Sequence, residues 1–354
     1  MKGLILAGGK GTRLRPITYT SAKQLVPVAN KPVLFYGLEA MVEAGIEEVA
    51  IVIAPETGGE IREVTGDGSR FGLRITYIEQ AKPLGLAHAV LTAEPFLGDD
   101  PFVMYLGDNL LQGGIVDLVA AFREHRPEAL ILLTPVPDPQ NYGVAELDGQ
   151  RVVRLAEKPT QPATDLALVG VYMFTPAIHD AARSIVPSAR GELEITDAIQ
   201  HLVDTDRRVE PHVVRGWWKD TGRLEDILEA NRLVLDRVDA RVEGELVDSS
   251  CDGRVVVEAG ARLERSAVRG PAIIGAGARL VDCYVGPYTA IGEGCTVERA
   301  EVEHSILLAG SSVTGLEGRM ESSLLGRNVS IGRGAGQPRA YRFMVGDNSE
   351  IGIL

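Results

Sequence analysis

Three cysteines are all the chain has. Cys251, Cys283 and Cys295 lack the spacing of a zinc site and are too few for a disulfide scaffold, so they are expected to be small buried hydrophobes. Long apolar runs are missing too: none approaches the ~18 residues that span a bilayer. The N-terminus lacks the basic head and apolar core of a signal peptide. A soluble cytoplasmic protein is therefore expected. Positive charge is in short supply, with a net charge of −13 over 354 residues, which argues against a general binder of nucleic acid or anionic membrane. Lysine is the scarcest cation, at 7 against 29 arginines. Lys10, Lys23, Lys31 and Lys158 all lie in motif-like stretches, and none follows Lys219.

What is present divides into two unlike halves. Residues 1–240 alternate short apolar runs with helical patterns. "GLILAG" and "EEVAIVIAP" read as strands around "KPVLFYGLEAMVEAG", a helix with Pro32 near its start and Gly45 beyond its end. "LRITYIEQ", "PFVMYLGD", "ALILLTPV" and "LALVGVYMF" follow as further strands. Their nearly continuous apolar character suits burial on both faces, hence a Rossmann-like, doubly wound and mainly parallel α/β sheet. An amphipathic helix, "RLEDILEANRLVLDRV", closes this half. Residues 241–354 hold 18 of the 40 glycines, and aliphatics recur there every six residues: Val257 to Leu263, Ile274 to Leu280, Val285 to Ile291 to Val297, Val345 to Ile351. That period favours a left-handed parallel β-helix over an ordinary β-sandwich with irregular turns, with the repeat interrupted around 299–326.

"LILAGGKGTRLRP" mixes Gly8, Gly9 and Gly11 with Lys10, Arg13 and Arg15. It is neither a dinucleotide fingerprint nor a Walker loop: Leu14 stands where the first needs glycine, and Arg13 where the second does. The physics is still that of an anion cradle, because bare backbone lets N–H groups approach phosphates. The alternative is a plain glycine-rich turn. Asp108 in "YLGDN" and Asp220 in "WWKDTG" sit at strand or loop ends. Two such carboxylates suit Mg²⁺, which completes its shell with water and phosphate oxygens. Singly, each is as well explained as a turn residue or cap. Lys23 and Lys158 could be solvated surface, yet a compact ammonium also suits a phosphate. No nucleophile–histidine pair stands out, and His88, His125, His179, His201 and His212 are scattered without motif. Phosphoryl-group chemistry by positioning and charge neutralisation is the reading these residues favour.

The ordered set "LAGGKGTRLRPIT", "AKQLVPVANKP", "QAKPLGLAHA", "LGDN", "NYGVAEL", "EKP", "RGELEITD" and "WKDTG" resembles the sugar-1-phosphate nucleotidylyltransferases over the first 240 residues. "KQL" is similar to the branch that transfers thymidylyl from dTTP to glucose 1-phosphate. The repeat tail is similar to the long form known from deoxysugar pathways of antibiotic-producing bacteria. The resemblance implies roles. Gly8, Gly9 and Gly11 would hold the nucleotide, and Arg13 would neutralise the leaving pyrophosphate. Lys23 would touch the phosphates, and Gln80 with the Gly85 backbone would read the pyrimidine. Asp108 and Asp220 would bind Mg²⁺, with Asn109 beside the sugar. Tyr142, Gly143, Glu157, Gly170 and Trp218 would line the sugar pocket, and Lys158 would hold the sugar phosphate. Lys82 and Leu84 in "AKPLG" depart from the short enzymes, which bears on thymine over uracil selection. The products would be dTDP-glucose and pyrophosphate, formed by in-line displacement. Two rivals stand beside this: a broader nucleotidyltransferase with acyl transfer at His304 in the tail, and a non-catalytic sugar-nucleotide sensor. A homo-oligomer assembled through the tail is expected.

Overall fold

The computed structural model describes residues 1–9, 11–333, 349, 351 and 352. Two compact units form. The first comprises the opening strand and its loop, Ala22–Leu25 and Val33–Asp220; the second comprises Gly11–Ser21, Val26–Pro32 and the chain from Thr221 onward.

In the first unit, strands β1 (Lys2–Leu6) and β2 (Glu48–Ile53) are linked through helix α1 (Val33–Glu43). Pro32 precedes that helix, and Gly45 beyond its end takes φ +70, as the sequence suggests. Helix α2 (Gly58–Thr65), strand β3 (Arg74–Glu79), helix α3 (Leu86–Leu97) and strand β4 (Phe102–Leu106) follow. The order β3-β2-β1-β4 is parallel throughout. Along β1 the side chains alternate between two cores: Leu4 and Leu6 pack with Val90 and Phe102, while Ile5 packs with Leu38 and Ile51. Both faces are dry, which is why β1, β2 and β4 read as unbroken apolar runs. β3 differs. It is the edge strand, and its side chains are only half-buried.

Beyond β4 the pairing through the next strands is antiparallel, except for one parallel pair, Val209–Val213 with residues 129–133. Asn109–Leu111 with Trp218–Asp220 forms a separate two-stranded ribbon. The remaining strands are β5 (Asn109–Leu111), β6 (Ala129–Pro135), β7 (Gly143–Asp148), β8 (Arg151–Glu157), β9 (Leu166–Phe174), β10 (Val209–Val213) and β11 (Trp218–Asp220). β9 runs antiparallel to β4, although its apolar run looks like those of the parallel strands. Along β6 its register breaks between Leu168 and Tyr172, and Gly170 sits in the break. Helices α4 (Val116–His125), α5 (Ala177–Ser184) and α6 (Ile195–Asp204) cover the sheet.

The second unit contains helix α7 (Leu224–Leu235) and then a succession of two- and three-residue strands in three parallel stacks. This is the arrangement of the left-handed β-helix read from the period of six. Val257, Leu263, Ile274, Leu280, Val285, Ile291 and Val297 are all fully buried. Each successive coil pairs in register with the last, as Val257↔Ile274↔Ile291↔Leu307. Glycine follows Ile274 and Ile291 because the next coil lies so close: a Cβ on Gly275 would stand 2.7 Å from Glu293 N, and one on Gly292 2.7 Å from Leu307 O. The interruption near 299–326 is a change of coil length, not a break. The pairing Ala290↔Ile306 shortens one coil and Glu301↔Arg319 lengthens the next, while the ladder continues to Ser330–Gly332. Cys283 and Cys295 are buried, as expected, and Cys251 is half-buried. The Val345–Ile351 repeat has Val345 outside the described residues.

Within the same unit, Val26–Pro32 forms a tight hairpin, Pro27–Val28 against Lys31–Pro32, with Ala29 and Asn30 at φ 47 and 61. Asn231 of α7, fully buried, accepts from Ala29 N at 2.9 Å and donates to Tyr288 O at 2.9 Å. Asn30 Nδ2 donates to Ile291 O at 2.8 Å. Two amides thus tie an early hairpin to the β-helix.

Candidate active site

The chemistry gathers beyond the carboxyl ends of β1, β3 and β4, the place where ligands of open α/β sheets bind. β4 ends in "LGDN". β5, which follows at once, pairs antiparallel with β11, so that Asp220 stands opposite Asn109, next to Asp108. Residues more than a hundred positions apart are joined by a ribbon of three residue pairs. The Asp108 side chain is nearly buried, and Asp220 Oδ1 is buried as well.

Lys23 reaches Asp108 Oδ2 in a part-buried ion pair. Its stem crosses Gly9, where a Cβ would lie 2.8 Å from Lys23 Cε, so any side chain there would push the lysine aside. The lysine's own turn is held by Glu60, whose Oε2 accepts from Ala22 N at 2.7 Å. Burial pushes the Asp108 carboxyl up. The Lys23 ammonium, with hydrogen bonds from Lys23 and Asn109, outweighs it and holds the group below the ordinary carboxylate value. Asp108 is an anion ready for cationic partners.

Asn109 is the hub of the next layer. Its Oδ1 accepts from Trp218 Nε1 at 2.6 Å and from Gly170 N at 3.1 Å, and its Nδ2 donates to Asp108 Oδ1 at 3.1 Å. The register break in β9 is what frees the Gly170 N–H, and a Cβ at Gly170 would lie 2.5 Å from Asn109 Oδ1. Trp218 meets Tyr142 edge to face at 5.4 Å between ring centroids. Tyr142 O accepts from Lys158 N at 3.0 Å, and Lys158 takes φ 41. Lys158 Nζ lies 3.7 Å from Glu157 Oε1. Gly143 completes this wall: a Cβ there would lie 3.1 Å from Glu157 Oε2.

On the other side of the loop, a Cβ on Gly8 would stand 3.8 Å from Gln80 Oε1. Gln80 follows β3 and donates its Nε2 to Gly85 O at 3.2 Å. Gly85 takes φ 106, and a side chain there would run into the Leu193 backbone. Gly11 and Arg13 belong to the second unit. Gly11 is left-handed (φ 62, ψ 25) ahead of the turn Thr12–Leu14, and its carbonyl accepts from Thr18 Oγ1 at 2.6 Å. Lys10 lies outside the described residues.

Sequence reasoning passed over several side chains. Arg190 binds Glu157 at 3.2 Å and Glu194 at 2.8 Å, and Thr196 Oγ1 donates to Glu157 Oε2 at 2.7 Å. Both lie within "RGELEITD", a segment whose sequence by itself implies no role for them. His88, set aside for want of a motif, has Nδ1 at 2.9 Å from Gln80 Nε2. In the tail, His304 meets Tyr288 edge to face at 6.2 Å.

The family described as Nucleotidyl transferase matches residues 2–237. The chain belongs to the nucleotidyl transferase family. Among relatives of this nucleotidyl transferase is the glucose-1-phosphate thymidylyltransferase of Streptomyces antibioticus, 58% identical over 100% of this chain and 99% of that one. The low-salt glycan biosynthesis nucleotidyltransferase Agl11 of Haloferax volcanii is 49% identical over 99% of each. Both extend through the β-helix. Among solved structures, a UDP-glucose pyrophosphorylase complexed with UDP-glucose matches with a TM-score of 0.61 and 25% identity, over 67% of this nucleotidyl transferase and 98% of that chain. Among the described residues, no helix is long and apolar enough to cross a membrane.

Proposed function

We propose that this nucleotidyl transferase transfers a thymidylyl group from dTTP to glucose 1-phosphate, giving dTDP-glucose and pyrophosphate. The observation that supports the reading is the β5–β11 ribbon, in which Asp220 pairs with Asn109, the residue after Asp108, while Lys23 holds Asp108 in an ion pair. The identity to a thymidylyltransferase along the whole chain supports the choice of base and sugar.

Asp108 and Asp220 fit Mg²⁺. Their donors are hard carboxylate oxygens, and no cluster of three or more His, Cys, Asp or Glu exists among the described residues, so substrate oxygens and water would complete the shell. Bound there, the ion would supply positive charge to the phosphates. The attacking oxygen of glucose 1-phosphate is already anionic at neutral pH, so the protein needs no general base. Its task is to bring two polyanions together in line. Lys23 and Lys158 lower that repulsion where partial dryness strengthens each charge, and Arg13 is assigned to the leaving pyrophosphate. Gly8, Gly9 and Gly11 let backbone approach the phosphates. Gln80 and Gly85 hold the pyrimidine, while Asn109, Tyr142, Gly143, Glu157, Gly170 and Trp218 hold the sugar. The enzyme works in the cytoplasm as a homo-oligomer assembled through the β-helix.

Pyrophosphate release from dTTP and UTP against a panel of sugar 1-phosphates is the test. Release is expected to be fastest with dTTP and glucose 1-phosphate in the presence of Mg²⁺. No release with any pair would remove the proposal, and light scattering of the full chain tests the assembly.

A further inference from the structure

We propose that His88 determines base specificity: it fixes the side-chain amide of Gln80 so that only an acceptor faces the nucleotide. This rests on the reading of Gln80 as the residue that meets the pyrimidine. A primary amide has two N–H donors on one end and an acceptor oxygen on the other. At Gln80 both donors are used inside the protein. One goes to Gly85 O at 3.2 Å and the other to His88 Nδ1 at 2.9 Å. A carbonyl oxygen can only accept, so the nitrogen end must face Gly85. His88 accepts at Nδ1 in its neutral form with the proton on Nε2. Thr92 Oγ1 also lies 3.4 Å from that Nδ1, but its hydroxyl hydrogen goes to His88 O at the shorter 2.8 Å, which leaves the lone pair to Gln80.

Oε1 is thereby left pointing toward the glycine loop at Gly8. The backbone beneath it is equally fixed: Gln80 N donates to Ile53 O at 2.9 Å, and His88 rides on the first turn of α3. An acceptor held in this way suits a pyrimidine whose N3 carries a hydrogen, as in thymine and uracil. Cytosine offers a lone pair at N3, which would face the lone pairs of Oε1. With one amide hydrogen released, the side chain has less reason to keep its orientation, and the flipped amide would offer N–H to cytosine. Discrimination of this polar kind exceeds what shape alone gives, because a mismatched base leaves buried groups unpaired. His88 touches no reacting atom; it is a positioning residue acting through Gln80.

The test is pyrophosphate release with glucose 1-phosphate, comparing kcat/KM for dTTP and dCTP in the wild-type enzyme, His88→Leu, His88→Asn and Gln80→Ala. His88→Leu removes the acceptor and is expected to lower the dTTP:dCTP ratio by about tenfold or more. The KM for glucose 1-phosphate should stay within about twofold. Asparagine offers Oδ1 about where Nδ1 stands, so His88→Asn should keep the ratio within about threefold. Partial misfolding lowers both rates together and leaves the ratio unchanged, so it cannot imitate the expected result. If His88→Leu proves insoluble, His88→Ala carries the same expectation. An unchanged ratio in the variant lacking the acceptor overturns the inference, as does a fall in His88→Asn equal to that in His88→Leu. If Gln80→Ala also leaves the ratio unchanged, the reading of Gln80 has failed as well; if it collapses the ratio while His88→Leu does not, only the role of His88 is lost.

Discussion

The α/β unit and the β-helix both stack parallel strands, yet they use that geometry for opposite ends. In the first, strands of five or six residues pack helices on both faces, and their carboxyl ends open onto loops that carry charge. Polar side chains are buried there in linked sets, such as Lys23–Asp108–Asn109–Trp218. In the second, strands of two or three residues point aliphatic side chains into one column, and charge is left outside in pairs such as Arg265–Asp282. The lesson concerns where a substitution should be felt. Polar changes in the first unit should alter chemistry with little loss of fold. Apolar or backbone changes in the second should alter stability with little change of chemistry.

The largest effect expected is at the β5–β11 ribbon. Asp220→Asn keeps the size of the side chain and removes a charge-based ligand, and turnover should fall on the order of a hundredfold or more. Tm should move little; a large fall in Tm with turnover preserved would erase the contrast. Glycine substitutions sharpen it. Gly85→Ala forces φ 106 on an L-residue against the Leu193 backbone, and the KM for dTTP should rise more than tenfold. Gly292→Ala presses on Leu307 O in the next coil, so it should lower Tm while the KM values hold.

Asn231→Ala comes next, losing one bond to Ala29 N and one to Tyr288 O. At about 1 kcal/mol each, denaturant unfolding should show a loss of roughly 2 kcal/mol. Ile291→Val, within the aliphatic column, should cost about 0.5–1.5 kcal/mol by the same measurement.

The smallest effect returns to the first unit, where a polar residue has no catalytic partner. His179 is buried against Phe102 at 5.9 Å, and neither ring nitrogen has a hydrogen-bond partner. Burial lowers its pKa below the ordinary histidine value, with Glu94, Arg183, Asp180 and Asp99 as weaker influences. The unfolded chain therefore takes up a proton first as pH falls. Stability is fully present above pH ~6.5 and declines below it, toward the folded pKa. His179→Leu should flatten that acid-side decline in Tm while turnover stays unchanged.

Much of this contrast is legible in the one-dimensional pattern. A period of six with glycine after the aliphatic residue gives away the β-helix, because each coil must bury one side chain per strand and let its neighbour approach. The continuous runs of β1, β2 and β4 give away a sheet covered on both faces. β3 and β9 were less readable. "LRITYIEQ" is apolar enough for the interior, but its place at the sheet edge is decided by what fails to pair with it. Nothing in "LALVGVYMF" marks an antiparallel direction, since burial on both faces selects the same residues either way.

The site divides in the same manner. Sequence alone determined the residue types: bare glycines beside cations, two isolated aspartates, and lysines where lysine is rare. Those are properties of composition and spacing, which act before any contact forms. Only the tertiary structure decided which groups meet. Asp220 stands opposite Asn109, the residue after Asp108, because a short antiparallel ribbon joins segments about a hundred residues apart. Gly170 offers its N–H to Asn109 because β9 breaks register there, and His88 faces Gln80 because α3 starts just beyond a loop that only glycine can turn. Hydrogen bonds of that kind are directional and long-range in sequence, so no local pattern encodes them; packing of the two faces of the sheet sets their geometry.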